Sequence, residues 1–178
     1  MFRQVPVLPV VVPIAAAVFL ALLWSLRRRH RLSVPRTVLA AALCVYVAGV
    51  TANTVFPVFL DKPTGDVPLS AFLNLVPVVG YEVSDAVQNV VIFIPVGVMV
   101  SLVLARPSWR RTLAAAIAVS LAIEVTQYVT AHTLAGGHVA DVNDLLSNAV
   151  GGAVGIGLLS LLERSPAIGR ALDRFRWR

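Results

Sequence analysis

Apolar residues run through this chain in five long blocks separated by short charged or turn-rich links. The blocks extend from about Val5 to Leu26, Thr37 to Leu60, Val87 to Ala105, Thr112 to Val129 and Leu145 to Leu162. A helix needs about 20 mainly apolar residues, at 1.5 Å rise each, to cross ~30 Å of hydrocarbon. The pattern therefore predicts an all-α, polytopic membrane helical bundle of about five transmembrane helices. The first block is too long for the apolar core of a signal peptide, has no basic stretch ahead of it, and stops at Arg27-Arg28-Arg29-His30-Arg31. It reads as a retained span. Its prolines, Pro6, Pro9 and Pro13, fall in its first half, where a missing amide donor costs least.

Three regions follow from this pattern: 1–36, a first span with its basic link; 37–162, the main helical bundle; and 163–178, a basic tail. In that tail Ser165 can cap a short helix, with Pro166 at its first position. Its arginines, with Phe175 and Trp177, suit the anionic surface of an inner leaflet.

Composition sharpens the class. Of 178 residues 58% are hydrophobic and 13% charged, about half the charge usual in a soluble domain. The net charge of +6 does not point to nucleic acid, because the basic residues sit beside spans and no aromatic-basic interleaving accompanies them. Thirteen of the 15 basic residues fall on one side: Arg27, Arg28, Arg29, Arg31 and Arg36, then Arg106, Arg110 and Arg111, then Arg164, Arg170, Arg174, Arg176 and Arg178. Only Arg3 and Lys62 fall on the other. The positive-inside rule then puts the N-terminus outside and the C-terminus in the cytoplasm, as expected of a multi-pass cell-membrane protein. The lone Cys44 excludes an intrachain disulfide.

Four polar clusters interrupt the apolar pattern, all toward the predicted outer side: Asn74 to Pro77, Asn89 to Pro95, Glu124 to Gln127, and Asp141 to Asn148. Polar groups at membrane depth are expensive and mark a buried network or a site. Glu124 and Gln127 share a helix face, with Glu124 about 8 Å inside the span if the helix ends at Val129. Glu124 is either hydrogen-bonded to a neighbouring helix or serves as a ligand contact, an acid/base group or a metal ligand. Asp141 or Asn143 can cap the fifth helix, with Asp144 in its first turn. Asn148, one turn further on, needs partners, and Glu124 or Gln127 lie at similar depth. Asn89 either caps the third helix or joins the same network. Pro95 leaves the Val91 carbonyl without its helical partner and favours a kink. Gly151, Gly152, Gly155 and Gly157 form a small-residue stripe suited to close packing within the chain, or less readily to dimerisation.

Two outer links frame these clusters. In the first, Asp61 to Ala86, the apolar stretch Leu69 to Tyr81 is expected to pack on the bundle or lie in the interface. The second, Thr130 to Asn143, holds Gly136, Gly137, His132 and His138. His138 lies near Glu124, Asp141 and Asp144, which are metal-ligand types. No tight spacing motif such as His-Glu-x-x-His joins them, and no metal or other cofactor is assigned. No nucleophile motif or phosphate loop is present.

In this order the clusters resemble the VanZ-like family of bacterial membrane proteins. Its Asn-Leu-Ile-Pro-Phe element is matched by Asn74 to Val78, and its Asn-x-x-x-Phe-x-Pro-x-Gly by Asn89, Phe93, Pro95 and Gly97. Its Glu-x-x-Gln is matched by Glu124 and Gln127, and its last acidic motif by Asp141, Asp144, Asn148 and Gly151. The resemblance covers about 69–162. His138 stands where the family usually has Arg, and Asn143 replaces the middle acid of Asp-x-Asp-Asp. An anion-binding role held by that Arg therefore does not transfer directly.

The resemblance implies a cell-envelope protein and a link to glycopeptide resistance, teicoplanin in particular. The first expectation is a non-enzymatic protein embedded in the lipid bilayer. At an outer-leaflet polar site it would bind a lipid, a lipid-linked cell-wall precursor or a lipoglycopeptide through Asn74, Asn89, Glu124, Gln127, His138, Asp141, Asp144 and Asn148. A second is an intramembrane enzyme acting on a lipid-linked envelope substrate, with Glu124 or Asp141 as acid/base. A third, a proton-coupled carrier using Glu124, is disfavoured by the clustering at one side and the lack of an inverted repeat.

Overall fold

The computed structural model describes residues 2–61, 68–134 and 138–177. Lys62, Gly136, Gly137 and Arg178 of the sequence reading lie outside these. The described residues form six α-helices: α1 (Val7–Arg28), α2 (Val34–Thr54), α3 (Val83–Val103), α4 (Trp109–Leu134), α5 (Val142–Leu162) and the short α6 (Pro166–Asp173). The first five are long and apolar enough to cross a membrane, so the bundle is all-α and polytopic as the block pattern predicts. Two two-residue strands, β1 (Leu73–Asn74) and β2 (Ala140–Asp141), pair in parallel at one end.

Helix limits depart from the apolar blocks where local chemistry decides them. α2 stops at Thr54, short of Leu60, because Pro57 has no amide to donate and disfavours helix in the residue before it. The chain after it bridges back to the start: Val5 N donates to Val58 O at 2.9 Å, and Leu60 N to Arg3 O at 3.0 Å. α3 starts earlier than its apolar block, with Asp85 in the first turn, where the helix dipole favours an acid. It continues through Pro95 to Val103.

The tightest contact joins α3 and α5. A Cβ on Gly97 would collide with the Gly152 carbonyl oxygen, one on Gly151 with the Val90 carbonyl, and one on Gly155 with the Ile94 carbonyl. Lipid gives no hydrophobic drive for helices to associate, so backbone approach and dispersion must hold them. Gly157, counted in the stripe by sequence, meets nothing within 4 Å. Two residues beyond Gly155, it turns off that face. α4 closes against α5 through Ala116, which is fully buried and faces Gly152. Phe93, Val96 and Ala116 form one core cluster; Leu39, Met99, Leu102 and Leu159 form another. α1 and α2 pair as a hairpin, and α2 leaves cavities where it meets α3 and α4.

The basic end is sealed by the tail. Ser165 precedes α6 without a side-chain cap bond. Phe175 and Trp177 turn inward onto the Leu39–Met99–Leu102–Leu159 cluster instead of outward toward a membrane surface. Arg176 fixes this turn: it pairs with Glu163 and Asp173 and donates to the Ser101 carbonyl. The Arg36 guanidinium in turn donates to the Arg176 carbonyl at 2.7 Å.

Replacing Gly151 with leucine should force α3 and α5 apart. The expected loss is about 1–3 kcal/mol or more, read as a lower unfolding midpoint of the detergent-solubilised protein. Leucine at Gly157 should leave the midpoint unchanged.

Candidate functional site

Opposite the basic end lie the N-termini of α3 and α5 and the C-termini of α2 and α4. Here Asp141 is a hub. It is the N-cap of α5, its Oδ1 accepting from the Asn143 amide at 2.7 Å, which settles the choice between Asp141 and Asn143. Its Oδ2 accepts from Asn74 Nδ2 at 2.9 Å, tying the β1 loop to the helix start. Its own amide donates to Glu124 Oε2 at 2.9 Å. Glu124 thus meets the hydrogen-bonding need of a buried carboxylate through the backbone of a neighbouring element. α4 runs on to Leu134, so Glu124 lies about 15 Å from the helix end at 1.5 Å per residue, deeper in the helix than an end at Val129 implied.

A second knot is built on Asp144. Its Oδ1 accepts from Asn89 Nδ2 at 2.6 Å and from Tyr81 Oη at 2.7 Å. Asn89 sits well inside α3, which begins at Val83, so it is a network member and not the helix cap. Burial pushes the Tyr81 phenol above its ordinary value, which keeps it a donor at neutral pH. Asn148 donates to Ser120 Oγ at 2.9 Å; the expected partners Glu124 and Gln127 are not the ones it uses. The Asn148 Oδ1 and the Gln127 Oε1 are buried without a donor.

Five predicted residues line one cavity of about 470 Å³: Asn89, Glu124, Gln127, Asp144 and Asn148. Asn53 and Gln88 complete its polar wall. Asn74 and Asp141 stand beside it as a clamp. Asp141 and Glu124 also border a second, largely apolar recess of about 380 Å³ with Tyr128 and Leu145. His138 is not brought into this group; a ring nitrogen lies 3.0 Å from the Phe56 carbonyl oxygen. Sequence reasoning missed Tyr81, Ser120 and Asn53. Ser120 was within reach, since Ser120, Glu124 and Gln127 follow the i, i+4, i+7 helical spacing. Tyr81 carried no such signal, because its role depends on a loop fold.

That loop packs through polar and backbone groups and turns its apolar side chains out. Asn74 Oδ1 accepts from the Val76 amide at 3.1 Å, and Asn143 Oδ1 from the Val78 amide at 2.7 Å. Val78 is held at φ 70°, a left-handed conformation that strains a β-branched residue. Leu75, Val76, Val78 and Val79 are exposed, an apolar face suited to a membrane interface.

The fold and the site define a polytopic membrane protein with an acceptor-rich cavity set near one end of its bundle. The VanZ/LLP1 family model matches residues 37–163, and the chain belongs to that family. No curated protein and no solved structure matches it significantly.

Asn89→Leu should leave Asp144 with Tyr81 as its one strong donor. We expect a loss of ~1.5–3 kcal/mol, the usual range for a hydrogen bond to a charged group, read as a lower unfolding midpoint. Asn89→Leu combined with Asp144→Leu should cost less than the sum of the two single changes, because no unpaired acceptor remains.

Proposed function

We propose that this VanZ/LLP1 family protein is a cell-envelope binding protein. Its cavity holds the polar part of a lipid, a lipid-linked cell-wall precursor or a lipoglycopeptide, and through that binding it contributes to teicoplanin resistance. The observation that carries this reading is the convergence of Asn89, Glu124, Gln127, Asp144 and Asn148, from three helices, on one cavity. The distribution of arginines supports an orientation with the cavity toward the extracytoplasmic leaflet. There it would meet envelope precursors and antibiotics arriving from outside. Binding is preferred to acid/base catalysis because Glu124 and Asp141 are both engaged in holding the α5 start.

Orientation is tested by labelling. With Cys44 replaced by alanine, Val79→Cys should react with a membrane-impermeant maleimide on intact cells. Ser108→Cys should react only after lysis; the reverse pattern would put the cavity on the cytoplasmic side.

Function is tested by drug susceptibility in a Gram-positive host. Expression of the chain should raise the inhibitory concentration of teicoplanin and leave an unrelated wall inhibitor unaffected. Asp144→Asn and Glu124→Gln, at equal membrane levels, should abolish the rise. Unchanged susceptibility with the wild-type chain present in the membrane would reject the resistance role.

A further inference from the structure

We infer that the cavity takes a primary ammonium group carried on an apolar chain, an inference that rests on its assignment as a binding site for the polar part of an amphiphile. Two independent features point to this chemistry: the sign of its wall and the shape of the space beneath it.

The charged groups of the wall are acceptors, beside amides and hydroxyls that can both donate and accept. Asp144 and Glu124 bring carboxylates to it, and no arginine, lysine or histidine lines it among the described residues. The ion pairs of the described residues are Arg3 with Asp61 and Arg176 with Glu163 and Asp173, none of them at this site. Two amides add to the acceptor surplus. Gln127 is 5% exposed and Asn148 3%, and their side-chain oxygens have no donor. A buried acceptor left open costs about 1–3 kcal/mol, so a ligand that supplies N–H groups recovers that cost. An ammonium carries three donors and a positive charge. A phosphate or carboxylate supplies neither and would meet like charge. Among the described residues no three His, Cys, Asp or Glu side chains converge on one point. The acceptors are spread round a space of about 470 Å³.

The shape adds the apolar chain. Tyr46, Val50, Thr54, Phe93 and Ile123 line both this cavity and an apolar slot of about 300 Å³. From these shared residues the slot reaches back along α2 to Leu43, forward along α3 to Val100 and back along α4 to Val119; it also extends the other way, to Val55 at the end of α2 and Thr126 on α4. On each of the three helices the slot therefore has an arm that runs from the polar cavity toward the middle of the bundle. A ligand with its ammonium among Asp144, Gln127 and Asn148 would lay its chain between α2 and the α3–α4 pair.

The test uses the full-length protein in a neutral maltoside detergent with four twelve-carbon probes: dodecylammonium, dodecyltrimethylammonium, dodecanol and dodecyl phosphate. Binding is read by native mass spectrometry and by the shift in unfolding midpoint. Dodecylammonium should bind about tenfold or more tightly than the other three, the quaternary probe failing because it has charge but no N–H. Asp144→Asn should weaken dodecylammonium binding about tenfold. Gln127→Met removes an open acceptor, so it should raise the midpoint of the ligand-free protein while weakening dodecylammonium. That combination separates a ligand contact from a merely structural residue. If dodecanol, the quaternary probe or dodecyl phosphate binds as well, and Asp144→Asn weakens it, the ammonium assignment falls and the amphiphile site stands. If no probe distinguishes the wild type from the two variants, both fall.

Discussion

The contact between α3 and α5 sets the rest of the structure. Gly97, Gly151 and Gly155 remove the side chains that would keep two backbones apart, and the carbonyls of Val90, Ile94 and Gly152 occupy that space. Gly151 meets the Val90 carbonyl, and Asn89 is the residue before Val90. The packing register that seats Gly151 therefore also brings Asn89 to Asp144, two turns earlier on α5. A slip of one residue would swing the glycines off the interface and leave an amide and a carboxylate unpaired where water is scarce. In this setting the polar pair and the glycine seam specify the same register, and each would be costly to keep without the other.

Where the seam ends, polar groups take over. α5 begins at Asp141, and that one side chain caps the helix, holds the Asn74 loop and positions its own amide for Glu124. The short β1–β2 pairing carries the same link through the backbone, Asn74 opposite Asp141. Deep carboxylates in a membrane protein are tolerated when other elements supply donors, and here those donors are backbone amides, asparagines and a tyrosine instead of cations. The choice has a consequence. Arg3 pairs with Asp61 at this end, but no cation among the described residues faces Asp144 or Glu124 in the cavity, whereas at the basic end Arg176 is matched by Glu163 and Asp173. At the basic end one buried arginine, Arg176, is neutralised beneath a surplus of exposed ones, and the tail packs over it; the other end is left acidic beside a cavity.

Much of the fold was legible because lipid imposes a strong rule on composition. A span must be apolar for about 20 residues, so five helices can be read from the blocks alone. Helix ends were less legible. Ser84 and Asp85 are polar yet helical, and that moved Asn89 from a cap to an interior position. That Asn89, Glu124, Gln127, Asp144 and Asn148 gather round one cavity was legible from cost, because polar groups at membrane depth are kept away from lipid. Their pairing was not. Asn148 reaches Ser120 and not Glu124 because partner choice depends on the rotation of α4 about its axis, which depth does not specify. His138 lies near the acids in sequence but meets Phe56, since α5 turns the acids inward while the link before it runs toward the end of α2.

The seat of α2 on the bundle core is uneven. α3, α4 and α5 hold one another through glycines, Ala116 and Phe93; α2 joins them through Leu39 and through the Tyr46 hydroxyl, which donates to the Ile92 carbonyl, but leaves unfilled space beside Val50 and Thr54. A water-soluble domain would close such gaps, because burying apolar area there is strongly favourable. In a bilayer the same gaps are filled by lipid chains at little cost, so no comparable force draws α2 inward. The polar cavity and the apolar slot therefore persist side by side, sharing the wall formed by Tyr46, Val50, Thr54, Phe93 and Ile123. On the binding reading proposed above, selectivity would fall to the core helices, whose side chains supply the acceptors, while α2 would supply the apolar wall against which a chain could lie.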